Sequence, residues 1–208
     1  MAVLTRLYDN HADAAHVVDA LEAAGVPHSD ISLLSNNAAG EHGATGSATG
    51  LTSGDPEQGA STGAGTGASL GTVLGGGAGL LAGLGALAIP GVGPIVAAGW
   101  LVATLTGAGV GAAAGGLFGS LTGAGVSEAD AQVHAEGVRR GGTVVTVRAD
   151  DAQSARINAI LDDRSPVDLA TRRSEYETEG WNKYDDSAEP YTAEQVTTER
   201  KRRIVSVK

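Results

Sequence analysis

The sequence predicts an α+β protein, a sandwich of two βαβ units split in the middle by a long, uncharged helical hairpin. Three observations carry that expectation. A β-rich run followed by a capped amphipathic helix occurs near each end of the chain. The tract from Gln58 to Ser127 contains no charged residue. Within it, small residues recur every four positions on either side of a Pro-Gly cluster.

The first unit occupies residues 1–35. Ala2 to Tyr8 alternates and is β-rich, which predicts a strand. Asn10 can cap a helix over Ala12–Ala24, with Ala14, Val17, Val18 and Leu21 at helical spacing. Gly25-Val26-Pro27 stops that helix, and Ile31–Leu34 predicts a second short strand.

A Gly/Ser/Thr/Asn linker, residues 36–62, leads into the central tract, 63–126. Its first ladder is Gly63, Gly67, Gly71, Gly75, Gly79 and Gly83. The second is Gly99, Ala103, Gly107, Gly111, Gly115, Gly119 and Gly123. Period four is close to the helical repeat, so each ladder forms a stripe of missing side chains along which two helix backbones can approach. Leu70, Leu74, Leu81, Ile95, Leu101 and Phe118 fill the gaps, which a flexible linker would not need. The breaker Ile89-Pro90-Gly91-Val92-Gly93-Pro94 supplies the hairpin turn, with Pro90, Gly91, Gly93 and Pro94 as its turn residues. The expectation is a glycine-zipper helical hairpin.

Residues 127–172 hold a polar helix and the second unit. Ser127 caps a helix to Arg140, with Glu128 and Asp130 in its first turn and Arg139-Arg140 in its last. Thr143–Arg148 predicts a strand, Asp150 a cap, and Ala152, Ala155, Ile157, Ile160 and Leu161 the buried side of a helix. Val167–Leu169 is the candidate closing strand. Aligned on their caps, the units match in kind: Asn10 with Asp150, Val17 with Ile157, Leu21 with Leu161. Two such units in tandem are the makings of a ferredoxin-like split βαβ sandwich. Residues 173–208 read as an acidic, partly disordered tail, punctuated by Tyr176, Trp181, Tyr184 and Tyr191. Thr192 and Gln195 form a capping box for a short helix ending in Arg200-Lys201-Arg202-Arg203.

Composition narrows the function classes. A net charge of -10 and a pI near 4.8 argue against nucleic acid. With no cysteine, disulfides and thiolate sites are excluded. Met1–Tyr8 lacks the basic-then-apolar build of a signal peptide, which places the α/β domain in the cytoplasm. Gly67-Ala68-Ser69-Leu70-Gly71 matches a nucleophile elbow as a string, but no strand precedes it, and the ladder makes Ser69 an ordinary small residue. Gly83-Leu84-Gly85 and Gly107-Ala108-Gly109 imitate a dinucleotide fingerprint, again without a strand. The first lysine is Lys183, so the tract holds no P-loop. His11 and His16, five residues apart, turn away from each other on a helix and do not share a metal. No catalytic, cofactor-binding or metal-binding residue is assigned, no small-molecule substrate is identified, and the reading is non-enzymatic.

The runs GALAIPGVGPIVAAG, Gly85–Gly99, and EGVRRGGTVVTVRA, Glu136–Ala149, resemble bacterial general stress proteins of the heat-induced, YflT-like type. The resemblance covers about Ala2–Leu169. It implies a stress-linked bacterial protein with a small α/β domain split by a Gly/Ala-rich hairpin, and it carries over no catalytic residue. At 1.5 Å per residue a helix over Thr66–Ala88 would be ~34 Å long, enough for a ~30 Å hydrocarbon core. The expected partners are therefore a membrane, the bacterial inner membrane, and further copies of the chain as a homo-oligomer. A soluble homo-oligomeric assembly is the alternative, and a small-ligand sensor on the ferredoxin-like domain the third reading.

Overall fold

A computed structural model describes residues 2–40, 85–89, 92–101 and 116–206. Strand β1, Ala2–Tyr8, leads to helix α1, His11–Ala23, and a 3-10 turn, His28–Asp30, precedes β2, Ile31–Asn36. Strands β3, Gly85–Ile89, and β4, Gly93–Gly99, come next. Helices α2, Gly116–Gly123, and α3, Glu128–Arg139, are followed by β5, Thr143–Ala149. Three helices complete the chain: α4, Asp151–Asp162; α5, Leu169–Thr178; and α6, Ala193–Ser206.

The protein is α+β, with one five-stranded sheet in the order β1-β5-β2-β4-β3. Every neighbouring pair is antiparallel. β1 and β5 pair over their full lengths, Ala2 opposite Ala149 and Tyr8 opposite Thr143, although most of the chain separates them. β5 thus lies between β1 and β2, the two strands that α1 joins. The caps form locally as expected. Asn10 accepts from the Asp13 N–H at 2.8 Å, and Ser127 from the Asp130 N–H at 3.1 Å. Asp150 occupies the N-cap of α4 but makes no side-chain cap bond.

Alternation along the strands builds two cores. On one face Tyr8, Ile31, Leu33, Val96, Val145 and Val147 meet α1 and α4 through Val17, Val18, Leu21, Ile157 and Leu161. On the other, Leu7, Leu34, Ile95, Ala97 and Val144 meet α2 and α3 through Leu117, Leu121, Ala131, Ala135 and Val138. The result is a three-layer sandwich. α3, which reads as polar in sequence, buries Ala131, Val133, His134, Ala135, Glu136, Gly137 and Val138.

Three expectations need correction. The stretch Gly85–Gly99 forms two paired strands, with Ile89 opposite Gly93 and Gly85 opposite Ala97, where the breaker between two helices was expected. β4 is a strand because both sheet faces need apolar cover: Val96 and Ala98 enter one core, Ile95 and Ala97 the other. Val167–Leu169 does not close the sheet beside β1. Val167 donates one bond to the Leu7 carbonyl at 2.8 Å, then the Asp168 side chain accepts from the Thr171 N–H at 2.7 Å and starts α5. The tail packs on the domain: Tyr176, Tyr184 and Val196 are buried.

Candidate functional site

Of the ladder, Gly63, Gly67, Gly71, Gly75, Gly79, Gly83, Gly107, Gly111 and Gly115 lie outside the described residues, as do Pro90, Gly91 and Ser69. The described members part company. Gly99 ends β4 at φ +95°, and a Cβ there would lie 2.1 Å from the Ile31 carbonyl oxygen and 2.6 Å from Ser32 Cα. It is a close-approach glycine, but between strands. Gly119 and Gly123 sit in α2, where a Cβ would meet nothing within 4 Å among the described residues. Gly93, φ +95°, and Pro94 open β4. His16 is exposed and His11 half-buried, and among the described residues no His, Asp and Glu cluster could hold a metal ion.

The chemistry missed by sequence reasoning lies where the tail meets the sheet. At the end of α3, Glu136 is fully buried. Arg140 Nε donates to Glu136 Oε1 at 2.6 Å, its Nη1 pairs with Glu179, and its guanidinium lies 4.1 Å over the Tyr176 ring. Burial opposes the Arg140 charge, but hydrogen bonds to Glu136 and Glu179 outweigh it and hold the pKa above the ordinary arginine value. Arg172 from α5 binds Asp9 through both terminal nitrogens, at 2.7 and 2.8 Å, and Arg203 from α6 shares that carboxylate at 3.0 Å. Burial alone would raise the Asp9 pKa; the two guanidiniums keep it below the usual carboxylate range. Arg203 also reaches the Tyr176 hydroxyl at 3.3 Å, and Arg200 donates to the carbonyls of Gly141 and Asn36. α6 is thereby fastened across one end of the sheet.

This clasp explains the Glu136-Gly137-Val138-Arg139-Arg140-Gly141-Gly142 run. A Cβ on Gly137 would strike Leu7 Cδ2 at 2.6 Å, and Gly141, at φ +106°, faces Val196 Cγ1 at 2.7 Å. The run is a packing junction in which Glu136 pairs with Arg139 and Arg140, and Arg140 reaches on to Glu179 in the tail. The aromatic punctuation of an otherwise acidic tail was the available signal: Tyr176 stacks edge-on with Trp181 at 5.6 Å, and Tyr184 lies 6.5 Å from Phe118.

A cavity of about 300 Å³ opens at the other side of β1. Thr5, Arg6 and Leu7 line it from β1, Asp162 from the end of α4, Pro166 to Asp168 from the following loop and Leu169 from the start of α5. His134 of α3 also lines it, is 1% exposed, and has a buried Nδ1 with no hydrogen-bond partner among the described residues. Burial drives its pKa down to about 4 against an attraction from Asp130, and Arg6 lowers it further, so the ring is neutral near pH 7. Arg6 donates to Asp162 Oδ1 at 2.8 Å, Asn158 Oδ1 at 2.9 Å and the Thr5 carbonyl at 3.1 Å.

No protein-family model, curated protein or solved structure matches the chain. Among the described residues, no helix is long and apolar enough to cross a membrane.

Proposed function

We propose that this is a non-enzymatic protein of the bacterial general stress type, whose folded domain presents a Gly/Ala-rich tract for attachment to the inner membrane or to further copies of itself. The observation that carries the reading is the uncharged run from Gln58 to Ser127. The domain's own cores take up Ile95 to Ala98, Leu101, Leu117 and Leu121 of it, and the Gly/Ala-rich remainder, residues 63–83 and 102–115, is the part we assign to cover by lipid or by a further copy. The flanks of the run support it, because β4 is hydrogen-bonded into the sheet through β2 and α2 packs on α3. The domain therefore grips the tract on both sides of residues 102–115. The core that does the gripping is read as a ferredoxin-like half, β1-α1-β2 with β5 between its strands, extended by β4 and β3 on the β2 side.

Cell fractionation tests the reading. The full chain is expected in a pellet that survives a carbonate wash, or in a crosslinked homo-oligomer. Deletion of residues 63–83 should release it as a soluble monomer. A wild-type chain that is soluble and monomeric at cellular concentration overturns the proposal.

A further inference from the structure

The sheet ends on β3, and among the described residues no strand lies beyond it. The direction of its backbone groups follows from β4. The Pro94 carbonyl accepts from the Asn37 N–H at 2.9 Å, on the β2 side. In an antiparallel ladder the N–H and C=O of one residue point the same way, and successive residues alternate. Pro94 therefore turns its carbonyl away from Ala88, which lies opposite it on β3, and Val96 turns away from Ala86. Ala86 and Ala88 in turn direct their N–H and C=O groups to the outer edge, while Gly85, Leu87 and Ile89 bond to β4. Among the described residues no backbone group meets those of Ala86 and Ala88. The strand Gly85-Ala86-Leu87-Ala88-Ile89 carries neither charge nor proline, the usual devices that keep an edge from pairing. The opposite edge of the sheet differs: on β1 the Leu7 carbonyl is taken by Val167 and the Thr5 carbonyl by Arg6.

We infer that β3 is the surface on which a second copy of this chain docks, the two β3 strands pairing antiparallel across a two-fold axis at Leu87. Centred there, Ala86 of one protomer lies opposite Ala88 of its partner, so each outward N–H meets an outward carbonyl. Gly85 falls opposite Ile89, and Leu87 opposite Leu87. No charge meets a like charge in that register, which matters for a chain of net charge -10. With the β1 edge occupied, each chain has one edge to offer, and the assembly closes at two copies. Five paired residues are too few to hold a dimer alone. The pairing therefore rests on the self-association proposed above, and gives the tract that leads into Gly85 a fixed register.

The test uses the full chain, which has no cysteine of its own. On the axis, a non-hydrogen-bonded pair brings two Cα atoms to about 4.5 Å, within disulfide reach. Leu87→Cys, oxidised with copper-phenanthroline, is expected to give a crosslinked dimer and nothing larger. Its yield should be several times that of Ser187→Cys, at an exposed position in the tail. A mixture of Ala86→Cys and Ala88→Cys chains should crosslink in preference to either alone, as the register requires. Ala88→Pro, added to Leu87→Cys, removes an outward N–H but no bond to β4, and should lower the yield severalfold. Equal yields from Leu87→Cys and Ser187→Cys would mean random collision and overturn the β3 surface. A yield that Ala88→Pro leaves unchanged overturns it too. An amine-reactive crosslinker separates this surface from self-association as such. A chain that it joins into oligomers, yet whose Leu87→Cys variant forms no disulfide, keeps self-association and loses β3 as its surface. A chain that stays monomeric under both treatments loses both.

Discussion

Replacing Gly99 by alanine separates a strand from a helix by the sign of the effect. In an exposed helix interior the change would gain about 1 kcal/mol from propensity. At the end of β4 two costs add. The residue holds φ +95°, which for an L side chain costs roughly 1–2 kcal/mol. The new Cβ would sit 2.1 Å from the Ile31 carbonyl oxygen, which belongs to the paired β2 backbone and cannot step aside as a flexible side chain would. Overpacking of this kind costs about 1–3 kcal/mol. The sum, roughly 2–5 kcal/mol, is a large share of a typical 5–15 kcal/mol stability. Gly119→Ala is the internal control, since it lies in α2 with nothing within 4 Å of the added carbon among the described residues. Urea denaturation should show a lowered midpoint for Gly99→Ala, with unchanged slope, and a midpoint at or above wild type for Gly119→Ala. A Gly99→Ala protein as stable as wild type would refute the strand assignment and restore the helical ladder.

Other outcomes follow from the charged groups. His134 has a folded pKa near 4, below its unfolded value near 6.5, so the unfolded chain takes up the proton first as pH falls. Its contribution is fully present above about pH 6.5 and is lost between there and pH 4, worth about 3 kcal/mol. His134→Leu should flatten the stability profile in that window, and a slope equal to wild type would count against the buried neutral imidazole. Asp9 has a depressed pKa, so its stabilisation is present above the ordinary carboxylate range and disappears as pH falls through the folded value. Asp9→Asn, which leaves Arg172 and Arg203 without their shared carboxylate, should cost ~2 kcal/mol and speed amide exchange in α6. Unchanged protection of α6 would show that Val196 and the Arg200 bonds to Gly141 and Asn36 hold it without Asp9. Gly141→Ala should also loosen α6, because the new carbon displaces Val196; limited proteolysis between Gly180 and Thr192 reads this directly.

The parts of the fold legible in sequence are those where a cap and a period agree. β1, α1, β2, β5 and α4 each carry an alternating or helical pattern bounded by Asn10, Gly25 or Asp150, and each forms within two residues of the expected bounds. The stretch Gly85–Gly99 misleads for a physical reason. A repeat of four lies near the helical 3.6, but it is also a multiple of the strand period of two, so a ladder on one side of a helix is equally a ladder on one face of a strand. Short apolar runs such as Ile95-Val96-Ala97-Ala98 do not break the tie, because a strand covered on both faces does not alternate. Val167–Leu169 failed as a strand because the capping power of Asp168 outweighed the β-propensity of Val167. The tail was hidden by its aliphatic poverty: its anchors are Tyr176, Tyr184 and paired arginines, none of which a hydrophobic pattern detects.

The adjacency of β1 and β5 has a consequence during synthesis. Thr5 and Thr146, which meet side chain to side chain, are 141 residues apart. At ribosomal speeds of about 5–20 residues per second, β1 waits on the order of 10 s for its partner. β2 waits for the same strand, since β5 lies between them. Throughout that interval two apolar strands and the uncharged tract are outside the ribosome with no completed sheet to receive them. High sequence separation of contacts also slows the search that follows. Until Ala149 has emerged, the edges of β1 and β2 that β5 will join are without their partner strand, so the sheet closes only after most of the chain has been made.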